Sequence, residues 1–119
     1  MKFRESVALY MKASGLATVE AAPLYKKPSD LFRDAADGRK RIGSDLEGLP
    51  AWSFIVTSHT GVSRYPEASD RAHELAKRNG THGAVIALRH GGDTVGQSFV
   101  IMRLDDFSEL LVEHAREDS

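Results

Sequence analysis

The sequence contains no cysteine. Disulfides, thiolate metal sites and a cysteine nucleophile are excluded with it. No stretch approaches the roughly 18 consecutive apolar residues that a membrane-spanning helix needs, so no membrane association is expected. The opening Met1-Lys2-Phe3-Arg4-Glu5 lacks the apolar core of a secretory signal, and a cytoplasmic protein is the expectation. Positive charge is not in excess either: 16 Lys and Arg stand against 17 Asp and Glu, a net −1 with histidine neutral. A general electrostatic pull on nucleic acid is thereby excluded, and any such attraction has to come from local patches. Repeats and low-complexity tracts are also missing. What is present is 119 residues of ordinary apolar content, enough for one domain, 1–119, with a single core.

The most informative stretch runs over residues 43–57. One acidic residue, Asp45, stands on a short extended segment, followed by a tight turn bracketed by Gly48 and Pro50. Residues 51–58 are rich in aromatic and β-branched side chains and predict a strand. Trp52, Phe54 and Val56 fall on one face, and Ile55 among hydroxyl residues on the other. Two largely apolar faces predict a central strand.

Around this stretch the chain reads in order. Residues 2–14 predict a helix with Phe3, Val7, Tyr10 and Met11 as its buried stripe and Gly15 as its stop. At about 100° per residue, Arg4 lies at the edge of that stripe and Glu5 points away from it. Residues 16–21 predict a short strand. A linker over 23–28 carries Lys26-Lys27, and Ser29 is placed to cap a small helix over 30–36. Arg39-Lys40-Arg41, the densest basic run, follows directly upstream of Asp45. Pro66 opens a helix that Gly80 closes, with Ala68, Ala72, Leu75 and Ala76 as its apolar stripe. Residues 84–88 and 98–102 predict two strands joined as a hairpin by Gly91-Gly92-Asp93. A last helix begins near Leu104, with Phe107, Leu110, Leu111 and His114 along one side. The expected class is α/β, a central mixed sheet flanked by helices.

The order αβββαβ, with an acid on the second strand and the site completed on the third, resembles the core of the PD-(D/E)xK, or restriction-endonuclease-like, nuclease superfamily. Three segments carry a narrower resemblance. They are residues 3–15, the run Gly43-Ser44-Asp45-Leu46-Glu47-Gly48-Leu49-Pro50-Ala51-Trp52, and Val100-Ile101-Met102-Arg103-Leu104-Asp105-Asp106-Phe107. They resemble small phage and archaeal Holliday-junction-resolvase-like proteins, in which a Gly-x-Asp-Ile-x-Gly-Leu-Pro-like segment runs into a Glu-Val-Lys strand. The resemblance implies a Mg²⁺ site held by a glutamate of the first helix and by the strand Asp and Glu. It also implies a lysine that orients the attacking water, and a homodimer. Oxygen ligands are what a hard ion such as Mg²⁺ demands.

Asp45 matches the strand aspartate, and so stands as candidate catalytic residue and metal ligand. Ile55 and Thr57 stand where the family has its Glu and Lys; isoleucine cannot bind a metal, and Thr57 offers only a hydroxyl. Arg4 stands in place of the helix acid, with Glu5 one step late, and is placed to pair with Asp45. Glu47 is a second candidate catalytic residue, and Glu67 or Lys77 on the following helix are further replacements for the missing groups. Lys26, Lys27, Arg39, Lys40 and Arg41 are the candidate DNA contacts. The five histidines form no HExxH pair, and Trp52 reads as core before it reads as a base-stacking platform. The expected function is a nuclease-family protein of phage or mobile-element type with weakened or absent catalysis, binding branched or duplex DNA. The alternatives are an active Mg²⁺-dependent structure-selective endonuclease with migrated ligands, and a protein-interaction or inhibitor module on the same scaffold.

Overall fold

The computed structural model describes residues 2–22, 43–58 and 64–117. The element order is α1 (Phe3–Ala13), β1 (Glu20–Ala21), β2 (Leu46–Glu47), β3 (Trp52–Thr57), α2 (Tyr65–Asn79), β4 (His82–Ala87), a 3₁₀ turn (Val95–Gln97), β5 (Phe99–Ile101) and α3 (Leu104–Glu117). The expected linker over 23–28 and the small helix over 30–36 lie outside the described residues.

Helix α1 stops where the sequence places the stop. The Leu16 N–H donates to the Met11 carbonyl and the Gly15 N–H to that of Lys12, the paired bonds of a Schellman ending. Of the predicted strand over 16–21 only Glu20–Ala21 is extended, and it pairs antiparallel with β2 in the register Ala21↔Leu46. The turn between β2 and β3 needs glycine at position 48. Its φ is +96°, and a Cβ there would sit 1.8 Å from the Thr18 carbonyl oxygen.

Strands β3 and β4 run parallel, joined by α2, and β4 and β5 form the expected hairpin, giving a mixed sheet in the order β3-β4-β5. The two faces of this sheet divide the core. Phe54, Ala84 and Ile86 pack with Val7 and Ala8 of α1, with Val19 and with Leu46, while Trp52 and Val56 close the margin. On the other face Val85 and Ala87 pack with Ala72 of α2, joined by Ile55, Tyr65, Ala68 and Ile101. The alanine stripe lets α2 lie close, and Gly83 is the contact point. A Cβ on Gly83 would meet the Ala72 carbonyl oxygen at 2.5 Å.

Two expectations change. The central strand is β4, buried along nearly its whole length, and β3 takes its second neighbour from residues 44–45. Helix α3 carries an apolar stripe, yet none of its residues is buried. Its docking runs through polar pairs: His73 of α2 with Asp106, and His82 of β4 with Glu113. With these pairs toward the body, Phe107 and Leu111 of the apolar side are exposed. No described helix is long and apolar enough to cross a membrane.

Candidate functional site

Asp45 immediately precedes β2 and lies beside β3. Its backbone N–H donates to the Phe54 carbonyl at 2.8 Å, and its carbonyl accepts the Ala22 N–H at 2.9 Å. The side chain continues this ladder, because Oδ2 accepts the backbone N–H of Val56 at 2.7 Å. Ser44 does the same one step away: its Oγ accepts the Phe54 N–H at 2.9 Å while its hydroxyl donates to the Leu46 carbonyl at 2.6 Å. Two side chains thus satisfy strand donors that no neighbouring strand reaches, which spares β3 the cost of unpaired buried N–H groups. The other carboxylate oxygen of Asp45, Oδ1, is 4.0 Å from Nη1 of Arg4, and the two side chains are 32% and 18% exposed.

This arrangement limits what Asp45 can do. One oxygen is committed to the backbone, and the Arg4 guanidinium stands 4.0 Å from the other. Mg²⁺ requires near-octahedral oxygen coordination and gives up its waters reluctantly. The groups around Asp45 do not fit that ion.

The other candidates lie elsewhere. Ile55 is half-buried and packs against the Ala72–Val85–Ala87 cluster beneath α2. Thr57 lines a cleft of ≈ 260 Å³ with Arg64, Tyr65, Glu67, Ala68 and Arg71. Glu67 also lines a cleft of ≈ 440 Å³ with Ile55, Asp70, Arg71, Glu74 and Arg78. Glu67 is therefore brought to Thr57 and Ile55, but Asp45 lines neither cleft. Glu47 is half-buried on β2, opposite Glu20 in the β1–β2 register. Glu5 is exposed on α1, and Lys77 is exposed on α2 in a separate cleft beside His73 and Thr81. Trp52 stacks on Phe54 at a centroid distance of 5.6 Å and belongs to the core margin. Lys26, Lys27, Arg39, Lys40 and Arg41 lie outside the described residues.

One group the sequence did not expose is the cluster of His73, Asp105 and Asp106. His73 Nδ1 donates to the Asp106 carboxylate, at 2.9 Å from Oδ2. Ligand atoms of all three residues lie within 4.8 Å of one another, a donor set that could hold a divalent transition metal. Asp105 is also paired with Arg103 at 2.8 Å. Desolvation by its neighbours pushes the Asp105 carboxyl up. The Asp106 backbone N–H, the Arg103 guanidinium and His73 outweigh it and hold that carboxyl below its ordinary value. His73 and Asp106 are 33 residues apart on different helices, so no local spacing could have revealed the pair.

Comparison with protein-family models, with curated proteins and with solved structures finds no match to this chain.

Proposed function

We propose that this chain is a nuclease-like protein of the Holliday-junction-resolvase-like, phage or mobile-element type that has lost phosphodiester hydrolysis and acts by binding branched or duplex DNA. The observation that carries the loss of hydrolysis is the double engagement of Asp45, by the Val56 N–H on one oxygen and the Arg4 guanidinium near the other. Hydrolysis needs a charge clamp on the phosphate and an activated water. Ile55 and Thr57 lie toward α2 and bring neither a carboxylate nor an ammonium to Asp45. The described order α1, β1, β2, β3, α2, β4, with Asp45 beside β3, supports the nuclease-like scaffold. The DNA ligand rests on the basic run Arg39-Lys40-Arg41. That run is followed directly by Ile42 and Gly43 in the sequence.

The test combines cleavage and binding on four-way junctions and duplexes. The expected result is no Mg²⁺- or Mn²⁺-dependent cleavage above background, with affinity that falls as salt rises. Neutralising Arg39, Lys40 and Arg41 together should flatten the log–log salt dependence by roughly one unit for each phosphate that is no longer neutralised. Robust Mn²⁺-dependent nicking abolished by Asp45→Ala would instead return the chain to the active endonucleases, with Glu47 or Glu67 as relocated ligand.

A second reading, a protein-interaction or inhibitor module on the same scaffold, is favoured by a specific observation. The outward side of α3 and the strand β5 expose six large apolar side chains. Absence of any salt-dependent DNA affinity would decide for this reading.

A further inference from the structure

None of the residues of α3 is buried, and its first turn meets the body where Asp106 reaches His73 of α2. The His73 Nδ1 stands 2.9 Å from one oxygen of Asp106 and 3.1 Å from the other, so both oxygens face one imidazole nitrogen. A carboxylate oxygen of Asp105 lies within 4.8 Å of both partners. These three residues line a cleft of ≈ 330 Å³ together with Glu109, about one turn further along α3, and with Lys77 and Thr81. Three carboxylates thus stand against the single ammonium of Lys77, whose side chain is exposed.

We propose that His73, Asp105 and Asp106 form a Zn²⁺ site that fastens α3 to α2, with Glu109 or water completing the coordination. Spacing supports it. With Zn–N and Zn–O bonds of about 2.0–2.2 Å in a tetrahedral shell, neighbouring ligand atoms stand about 3.3 Å apart. His73 and Asp106 need to open by only a few tenths of an ångström, and their side chains, 23% and 17% exposed, are held in place by their surroundings. Asp105 has to close on them, and its exposed side chain is free to turn. The donor types select the ion. An imidazole nitrogen among carboxylates suits Zn²⁺ and its neighbours in the first transition row, whereas Mg²⁺ and Ca²⁺ take oxygen. The groups now engaged can give way. Zn²⁺ takes the place of the proton on His73 Nδ1, and the neutral imidazole then carries its proton on Nε2. Arg103, at 2.8 Å from Asp105, forms an exposed ion pair of the kind that contributes little, so it yields to the metal. A bound ion would replace a single His–carboxylate contact by bonds from two helices to one centre. The inference goes beyond the DNA-binding reading and uses no residue of the Asp45 site.

The experiment titrates the chelator-treated full chain with Zn²⁺ by calorimetry. The expected result is one Zn²⁺ per chain with micromolar affinity, and no binding of Mg²⁺ at the same concentrations. Loss of an outer-shell partner alone typically weakens a metal site about tenfold or more, so His73→Gln and Asp105→Asn should each lose at least that. Asp105→Asn leaves the His73–Asp106 pair in place, so its loss reports on the metal and not on the docking of α3. His90→Gln removes an exposed histidine outside the cluster and should bind as the wild type does. Long-range ¹H–¹⁵N spectra of the wild-type imidazoles read the site directly: Zn²⁺ should move the His73 Nδ1 resonance, and amide exchange along α3 should slow. His73 nitrogens that stay unmoved at saturating Zn²⁺ would overturn the proposal. So would wild-type Zn²⁺ affinity in Asp105→Asn, or exchange along α3 that does not respond to the metal.

Discussion

The Asp45 carboxylate accepts the backbone N–H of Val56 at 2.7 Å, across the turn that joins β2 to β3. A side chain here takes the place of a strand. It occupies the edge of β3 at the step where the backbone of residues 43–47 is no longer in register to do so, and its second oxygen faces Arg4 at 4.0 Å. A carboxylate in this position satisfies a donor and holds two elements together. A metal-binding carboxylate has to keep its oxygens open.

Asp45→Ala should therefore destabilise the protein by about 1–2 kcal/mol, the cost of leaving a part-buried N–H without its partner. Asp45→Asn keeps an oxygen acceptor for Val56 and loses only the charge, so it should cost about 1 kcal/mol or less. Urea unfolding of both variants checks the ordering. Equal stability of Asp45→Ala and the wild type would show that the Val56 bond carries no weight.

Restoring the motif should fail. Ile55 packs under α2 against Ala72, Val85 and Ala87, and Thr57 stands in a cleft beside Glu67. The double variant Ile55→Glu with Thr57→Lys places a carboxylate in that packed position. It should lower stability by about 2–4 kcal/mol, the usual range for a poorly paired charge in an apolar setting. An unchanged thermal midpoint would mean that water reaches the Ile55 side chain freely.

Much of this fold is written locally. Alternation along residues 52–57 separates Trp52, Phe54 and Val56 from Ile55, and the two sheet faces divide those residues in the same way. Gly15 and Gly80 end their helices where the sequence places the stops. The site was less legible. That Asp45 stands beside β3 follows from the turn at Gly48, but that it bonds Val56 depends on how a side chain fits a strand edge 11 residues away. The orientation of α3 was not legible at all. Periodicity identifies the stripe of Phe107 and Leu111, and a stripe normally turns inward. Here His73–Asp106 and His82–Glu113, at separations of 33 and 31 residues, hold the polar side against the body instead.

Gly83 lies directly under α2, with no room for a side chain. A Cβ there would come within 2.8 Å of the Ala76 Cβ as well as 2.5 Å of the Ala72 carbonyl oxygen. Backbone cannot yield as a flexible side chain does, so Gly83→Ala should push the helix off β4 and cost about 1–3 kcal/mol. Chemical denaturation gives the number. The paired variant Gly83→Ala with Ala76→Gly should recover only the part owed to the Ala76 methyl group, and full recovery would show that the Ala72 carbonyl is not in the way.

The acid side of the stability curve should carry a small contribution from Asp105. Its carboxyl is pushed up by desolvation, but the Asp106 backbone N–H, Arg103 and His73 together outweigh that push and hold it below its ordinary value. A carboxyl depressed in the folded state stabilises that state when ionised. The contribution is therefore fully present above the unfolded value, about 3.9 for aspartate, and is lost as pH falls through the lower folded value. The side chain is 59% exposed, so solvent screening keeps the effect modest, and salt weakens the Arg103 part of it. Asp105→Asn removes the titrating group. It should leave the curve above pH ~5 parallel to the wild type and make its descent below pH ~4 shallower, with a smaller difference in high salt. Unfolding measured in steps through this range distinguishes the two shapes, and identical acid limbs for Asp105→Asn and the wild type would remove Asp105 from the acid response.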